Sequence, residues 1–242
     1  MASDKDDAGP FSRVGPPYWT DKPVAIVGNG PSLKGFDLER LRGDFHVLAV
    51  KGAIFNIPWA DAGFGLDIPR YVEWRNMLHT VQFPVYWAAV KAKFLGEGPH
   101  PPCLRILRRI DINQVSSDPT AICSGGSSGY GAINLAWLKR ARRMLLLGFD
   151  YNGEVGHHDL RAYLQVRSQD ATSWYSWAKN FKTMKRDLDL VGGAFIVNAC
   201  LTSRIAVFPR LDIERAIVAV RQGHLDEAPQ HEIADHLHRI RA

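Results

Sequence analysis

The sequence contains little cysteine, and the cysteines form no recognisable pattern. Its 242 residues include only Cys103, Cys123 and Cys200, an odd number of widely spaced thiols with no CxxC or Cys/His ligand spacing. A disulfide framework and a structural zinc site are therefore excluded, and this usage is typical of a reducing compartment. A chain of this length can bury a core large enough to fold without such crosslinks.

Long hydrophobic runs are also absent. No apolar run approaches the ~18 residues that a membrane-spanning helix needs, and residues 1–10 are too acidic and polar for a signal peptide. We therefore expect no membrane span and a cytoplasmic location. The net charge of +5 permits an anionic partner such as a nucleotide, DNA or a phosphorylated glycan, without selecting among them.

Short apolar runs alternate with helical patterns along the chain. Strands are predicted at 24–27, 47–50, 63–66, 85–89, 105–110, 144–149 and 195–197, and helices at 38–41, 128–141, 174–191, 211–222 and 233–240. This alternation predicts an α/β fold that is Rossmann-like, with a mostly parallel sheet covered by helices on both faces.

The same pattern predicts how the chain is divided. We expect a flexible or surface-draped arm over residues 1–22, one nucleotide-binding α/β domain over 23–222, and a helical tail over 223–242. Residues 152–173 lack periodicity, and a loop of that length inside a compact domain is more often a lid or binding loop than a plain connection.

The first predicted strand is followed by a glycine-rich turn made of Gly28, Asn29, Gly30, Pro31 and Ser32. Backbone N–H groups at such a strand-to-helix turn can bind phosphate, so the turn is a candidate nucleotide site. It matches neither a dinucleotide fingerprint nor a Walker loop: Leu33 replaces the third glycine, Lys51 ends the second strand where an acid would be needed, and no Gly-Lys-Ser/Thr follows. A tight turn with Pro31 at the first helical position and no ligand is the alternative.

A second Gly/Ser loop leads directly into a predicted helix and consists of Ser124, Gly125, Gly126, Ser127 and Ser128. Hydroxyls and amides at a helix N-terminus can hold phosphate or ribose oxygens; a flexible loop with capping serines is the alternative. Ligands of open parallel sheets bind beyond the carboxyl ends of the strands, where both loops and the strand-end residues Lys51, Asp67, Asp150 and Asn198 are expected.

The lid segment carries candidate catalytic groups, which are His157, His158, Arg161, Tyr163 and Arg167. An imidazole with a near-neutral pKa can take a proton from an acceptor hydroxyl, and an arginine can neutralise a leaving phosphate. A solvated histidine pair is the alternative. A divalent ion held with Asp150 or Asp159 is another, although the spacing matches no established metal site. Trp174 and Trp177 fall on an apolar helical stripe, which predicts a role in the core.

Four segments together, at 24–33, 36–38, 124–129 and 146–150, resemble glycosyltransferase family 42, the bacterial sialyltransferases. The pattern is also similar to the related hydroxymethylpterin diphosphokinase-like proteins. The resemblance covers residues 23–210, and the segments 197–199 and 208–209 are most similar to uncharacterised phage-encoded members of this superfamily.

This resemblance implies that Gly28, Asn29, Gly30 and Ser32 contact a nucleotide and that residues 124–128 contact its base, ribose or phosphate. It implies a lid histidine, His157 or His158, as general base, and a tyrosine, Tyr151 or Tyr163, that steadies the leaving nucleotide without a metal. Lys51 departs from the family, whose members tend to carry Asn at that point. The pterin enzymes would instead use the crevice for ATP with magnesium.

The expected function is a nucleotide-dependent transferase, and most directly a glycosyltransferase. A nucleotide sugar would donate the sugar to a hydroxyl on a glycan or a modified nucleic-acid base, and Lys51 or Arg161 would stabilise the departing charge. Two alternatives stay open: a metal-dependent pyrophosphokinase acting on a small heterocycle, and a non-catalytic binding or virion-associated protein that keeps the nucleotide fold.

Overall fold

The structure, a computed structural model, describes residues 11–96, 98–152 and 171–225, with side chains in the last range described from 174 onward. Over these residues one open sheet contains eight strands: β1 (Val24–Val27), β2 (His46–Val50), β3 (Ala62–Gly65), β4 (Val85–Ala89), β5 (Leu104–Ile110), β6 (Ala121–Cys123), β7 (Arg143–Leu147) and β8 (Phe195–Asn198).

All neighbouring strands are parallel, in the order β6-β5-β4-β3-β2-β1-β7-β8. The chain builds the sheet outward from β1 in one direction as far as β6 and then crosses back to place β7 on the other side of β1. Because every strand runs the same way, all the carboxyl ends lie along one edge of the sheet. The predicted parallel α/β fold is confirmed.

Helices cover both faces of this sheet. They are α1 (Ile68–Leu78), α2 (Ser128–Leu138), α3 (Ala171–Leu190) and α4 (Ile213–Gln222), with short 3-10 helices at Pro31–Leu33, Leu38–Leu41, Lys51–Phe55 and Ala92–Leu95. Apolar residues of α2 and α3 pack on one face, and those of α1 and α4 pack on the other. This arrangement follows from the need to bury both faces of a parallel sheet.

The central strands read as continuous apolar runs because each of their two faces is buried. In β1, Val24 and Ile26 belong to the core under α2 and α3, whereas Ala25 and Val27 belong to the core under α1 and α4. All four residues have no exposed surface. Alternate side chains of one strand therefore serve two separate cores.

Among the strands and α-helices of the described residues, the sequence pattern does not predict α1 and β6. In α1 the buried residues Tyr71, Trp74 and Leu78 are spaced three and four apart, and Pro69 lies in its first turn, so a helical signal was present but sparse among polar residues. Strand β6 has only three residues, too few for a period to be visible.

Residues 11–22, part of the expected arm, lie against the α2 face of the sheet. Val14 and Trp19 are buried in its core, 4% and 2% exposed. The Trp19 N–H donates to the Lys139 carbonyl oxygen at 2.7 Å, and the Lys139 ammonium donates to the Gly15 carbonyl oxygen at 2.7 Å. This part of the arm is thus packed as a strap rather than loosely attached, while residues 1–10 lie outside the described residues.

All three cysteines are buried as free thiols. Among the residues described, none of the helices combines the length and the apolar character needed to cross a membrane.

Candidate functional site at the switch point of the sheet

The strand order creates a crevice at the carboxyl edge of the sheet. The connection from β1 leads to β2 on one side, and β7 enters from the other side. The loops that follow β1 and β7 therefore diverge to opposite faces, which is the topological switch point where open parallel sheets bind their ligands.

The glycine-rich turn after β1 is tied directly to the end of β7. The Gly28 N–H donates to the Leu147 carbonyl oxygen at 2.7 Å, and the Gly30 N–H donates to the Gly148 carbonyl oxygen at 3.0 Å. A Cβ at Gly28 would lie 2.7 Å from the Gly148 carbonyl oxygen. The close approach of two backbones explains the glycines at this turn.

Asp150 supplies an internal anion to the same turn. Its carboxylate accepts hydrogen bonds from the Ser32 N–H at 3.0 Å and from the Ser32 hydroxyl at 2.7 Å, and Asp150 is only 5% exposed. A Cβ at Gly30 would lie 1.8 Å from the Asp150 carboxylate. The donors expected to meet a phosphate thus serve protein acceptors, although Pro31 begins a short helix there as expected.

Tyr151 carries the connection across to the second Gly/Ser loop. Its hydroxyl lies 2.9 Å from the Ser127 hydroxyl, and a Cβ at Gly129 would lie 2.4 Å from the same tyrosine oxygen. The two predicted loops are therefore linked through consecutive residues after β7, because Ser32 hydrogen-bonds to Asp150 and Ser127 hydrogen-bonds to Tyr151.

Burial raises the pKa of Tyr151 to about 12, and the Ser127 hydrogen bond and the positive charge of Lys51 oppose the rise only in part. The phenol is neutral at physiological pH, so it keeps its proton. The Ser127 oxygen already accepts from the Tyr130 N–H at 3.3 Å. Between the paired hydroxyls one bond uses one of two protons, and as far as the described residues show, the other proton is left for a ligand.

Lys51 stands on the other side of the crevice, at the end of β2. Its ammonium forms an ion pair with Asp67, at the end of β3, with 2.5 Å between nitrogen and oxygen. Lys51 and Tyr151 both have left-handed backbones, with φ of 55° and 51°. Such strain costs about 1–3 kcal/mol for a residue other than glycine and collects at functional sites. Here the two strained residues follow the two strands that flank β1.

Hydrogen bonds within the chain order the second Gly/Ser loop. The Ser124 hydroxyl donates to the Asp111 carboxylate at 2.7 Å, and the Gly126 N–H donates to the Ser124 oxygen at 3.2 Å. Ser127 caps α2 through the bond to Tyr130. The loop is therefore held firmly at the start of an 11-residue helix, whose N-terminus carries a partial positive charge.

Ser128 begins α2 with a hydroxyl that is not satisfied. The residue is 4% exposed, and its oxygen has no hydrogen-bond partner among the residues that the structure describes. An unpaired buried hydroxyl costs about 1–3 kcal/mol. Its position next to the Ser127–Tyr151 pair makes the N-terminus of α2 the best candidate for the seat of an anion.

Asn29 and Asn198, expected at a ligand, connect neighbouring strand ends. The Asn29 side-chain amide donates to the Val50 carbonyl oxygen at 2.8 Å. The Asn198 amide donates to the Phe149 carbonyl oxygen at 3.2 Å and to the Ser203 hydroxyl at 2.9 Å. Contact of either asparagine with a ligand stays a prediction.

The two tryptophans of α3 line the site and are only partly buried. The Trp174 ring meets the Tyr151 ring edge-on, with centroids 5.7 Å apart, and also meets Trp177 at 5.3 Å. A Cβ at Gly126 would lie 2.8 Å from the Trp177 ring. The predicted core role is therefore incomplete, because these rings form an aromatic wall beside the tyrosine.

Several predicted residues cannot be placed. His157, His158, Asp159, Arg161, Tyr163 and Arg167 lie outside the described residues. Their catalytic and lid roles stay predictions.

Sequence reasoning missed Arg109 and Asp111. The Arg109 guanidinium pairs with the Asp111 carboxylate at 2.5 Å and donates to the Leu66 carbonyl oxygen at 3.4 Å. These residues extend the polar edge from the second loop toward Asp67. The available signal was the position of Asp111 directly after a predicted strand.

The acidic side chains at the carboxyl edge of the sheet form ion pairs or hydrogen bonds with other side chains. Asp67 pairs with Lys51, Asp150 accepts from Ser32, and Asp111 pairs with Arg109. In the described part of the chain, no group of three or more His, Cys, Asp or Glu side chains could hold a metal ion.

Neither protein-family models nor curated proteins give a match to this sequence. Among solved structures, a crystal structure of monomeric CstII is similar, with a TM-score of 0.47 and 15% sequence identity over 78% of this chain and 85% of that one. The likeness is a distant one in fold.

Proposed function

We propose that this chain is a nucleotide-dependent transferase, and specifically a glycosyltransferase that moves a sugar from a nucleotide-activated donor to a hydroxyl acceptor. One observation carries the proposal: at the switch point of the sheet, the neutral Tyr151 hydroxyl meets Ser127 at the N-terminus of α2, within the field of the Lys51 ammonium.

This constellation suits the departure of a nucleotide phosphate. As the bond between the sugar carbon and the phosphate oxygen breaks, negative charge develops on that oxygen. The spare hydroxyl proton of the Tyr151–Ser127 pair can hydrogen-bond it, and the Lys51 ammonium and the α2 N-terminus stabilise the charge electrostatically. The surrounding structure keeps Lys51 and Tyr151 in their strained backbone conformations, so these groups are positioned before the donor binds.

The acceptor hydroxyl attacks the same sugar carbon and loses its proton to a general base. We assign this base to His157 or His158, as the sequence predicts. The imidazole takes the proton of the acceptor hydroxyl as the acceptor oxygen bonds to the sugar carbon and the bond from that carbon to the phosphate oxygen breaks. Arg161 is the further candidate for neutralising the departing phosphate.

The alternative of metal-dependent pyrophosphoryl transfer would need carboxylates that converge on an ion. Of the acids that the sequence offers for an ion, Asp67 and Asp150 are instead bound to Lys51 and Ser32, and Asp159 lies outside the described residues. This arrangement favours glycosyl transfer. EDTA in an activity assay separates the two, since only the kinase would lose turnover.

A thermal-shift screen of nucleotides and nucleotide sugars tests the proposal. A ligand at a hundredfold excess over its Kd stabilises the fold by about 2.7 kcal/mol. Donor hydrolysis is then measured for Tyr151→Phe against Tyr18→Phe, a matched change at a tyrosine that stacks on Arg140 near the opposite edge.

We expect Tyr151→Phe to lower kcat for donor cleavage by at least about tenfold and Tyr18→Phe to leave it unchanged. The proposal is contradicted if none of the nucleotides or nucleotide sugars raises the melting temperature. If the protein binds a nucleotide but shows no turnover, and if this binding is unaffected when His157 and His158 become Ala, the result points to the non-catalytic binding protein.

A further inference from the structure

A small cationic cluster lies beside the proposed site. Tyr175 of α3 is 49% exposed, and its ring is contacted by the Lys179 ammonium at 4.2 Å and the Arg204 guanidinium at 5.9 Å from the ring centroid. We call Tyr175, Lys179 and Arg204 the Tyr175 cluster. Lys179 comes from the same helical face as the tyrosine, whereas Arg204 comes from the loop after β8.

Among the described residues no acid belongs to the cluster, in contrast to two other cations of α3. Along α3 itself, Lys185 pairs with Asp189 and Arg186 pairs with Asp187. Throughout the described ranges, neither cation of the Tyr175 cluster has a carboxylate partner, and the two positive groups face one ring. Two like charges held together without a counterion leave a place that a negative group would stabilise.

Backbone and ring contacts fix the cluster next to the switch point. The Arg204 N–H donates to the Asp150 carbonyl oxygen at 3.1 Å. On the other side, Trp174 precedes Tyr175 in the chain and packs against the Tyr151 ring. The cluster therefore neighbours Asp150 and Tyr151 through two independent connections.

We infer that the Tyr175 cluster is an acceptor subsite that binds a single carboxylate or phosphate group of a hydroxyl-bearing sugar. The inference rests on the proposed function. Two cations match one anionic group, and the exposed aromatic ring offers a flat apolar surface for the face of a sugar ring. A nucleic acid would need a longer row of cations to follow successive phosphates.

The test uses three probes of graded charge: methyl glucoside, methyl glucuronide and glucose 6-phosphate, each titrated into the full-length protein and followed by backbone NMR. We expect the two anionic probes to shift the amide signals of Tyr175, Lys179 and Arg204, and the neutral glucoside to leave them in place. The variant Lys179→Gln/Arg204→Gln should weaken anionic probe binding at least tenfold. Because both side chains are exposed, the variant should keep its folding midpoint.

Lys185→Gln is the matched control, since it removes one cation from the same helix but from an existing ion pair, and it should bind the probes as the unmodified protein does. Equal binding of neutral and anionic probes, or an unaffected double variant, overturns the inference. So does preferential binding of a thymidine hexanucleotide whose salt dependence indicates more than two phosphate contacts, because that result describes a nucleic-acid surface.

Nucleotide thermal shifts on the same samples separate this inference from the proposed function. A protein that binds anionic probes at the cluster but no nucleotide contradicts the transferase and retains the anion site. A protein that binds nucleotide but no anionic probe contradicts the acceptor subsite and retains the transferase.

Discussion

Ser128 points to a binding site because its buried hydroxyl, unsatisfied among the described residues, costs folding free energy. Its buried hydroxyl, unpaired in the described part of the chain, weakens the free protein. We expect Ser128→Ala to stabilise the unliganded fold by about 1–2 kcal/mol, while reducing the thermal shift that a nucleotide produces, as measured in parallel melts.

Ser127→Ala provides the comparison for this experiment. It removes the α2 cap and should destabilise the free protein by about 1 kcal/mol. A Ser128→Ala protein that is less stable than the parent, or that responds to nucleotide undiminished, would contradict the assignment of Ser128 to the site.

Tyr151 should make stability depend on alkaline pH. Its pKa is about 12 in the folded state against 10.0 for an unperturbed tyrosine, mainly through burial. The stabilising contribution of the neutral phenol is complete below pH 10, and it is lost as the pH rises from 10 to about 12, because the unfolded chain ionises first. Urea unfolding across this window should show a smaller decrease in the free energy of unfolding for Tyr151→Phe than for the parent. Identical decreases would show that the phenol does not titrate this way.

Gly30 belongs to a glycine-rich turn that the sequence singles out, and the structure supplies a reason for this glycine that the sequence does not show. The turn after β1 reads as a phosphate loop, yet the absence of a side chain at Gly30 is explained by the Asp150 carboxylate, which a Cβ would overlap at 1.8 Å. A substitution here is therefore expected to disturb the fold, and contact of Gly30 with a ligand stays a prediction. The partner is 120 positions away in the sequence, so no local pattern could indicate it.

At the scale of elements, the strap over residues 11–22 depends on a buried lysine. The Lys139 ammonium, in a residue that is 3% exposed, lies near the rings of Trp19 and Tyr86, at 5.7 and 5.4 Å from their centroids, and donates to the Gly15 carbonyl oxygen. Burial lowers the pKa of Lys139 below its usual 10.5. The charged form thus carries a desolvation cost in the folded state only.

That cost should disappear as the pH rises through the lowered pKa of Lys139 toward 10.5. As the pH rises from the lowered folded-state pKa toward 10.5, the folded protein releases the proton before the unfolded chain does. The free energy of unfolding of the parent therefore increases relative to that of Lys139→Met. Chemical unfolding of both proteins over this window measures the difference. A constant difference would mean that the lysine stays charged throughout.

Elements with strong patterns could be predicted from sequence, and sparse ones could not. Strand β7 and helix α2 follow from apolar runs because most of their residues are buried, whereas α1 buries only Tyr71, Trp74 and Leu78 among polar residues. The meeting of Tyr151 with Ser127 depends on α2 crossing the sheet toward β7. The strand order determines that crossing, and local sequence does not encode it.

For the whole molecule, the cysteines provide internal reporters of cooperativity. Cys103 and Cys123 are associated with β5 and β6, and Cys200 follows β8 at the opposite end of the sheet, all as buried free thiols. If the two cores open together, thiol labelling in the native state should give one common opening free energy for all three. A cysteine that labels far faster than the others would identify a separately unfolding edge.

The pairing of β1 with β7 has a consequence for synthesis on the ribosome. Strand β1 receives its second neighbour only when residues 143–147 have been made. The hydrogen bond from Ser32 to the Asp150 carboxylate likewise forms only after residue 150 has been made. Between the synthesis of β1, which ends at Val27, and that of β7, which begins at Arg143, the nascent chain therefore presents an unpaired edge on β1. Such an edge can pair with a strand of another chain, so we expect the incomplete chain to be more prone to aggregation before β7 has been made.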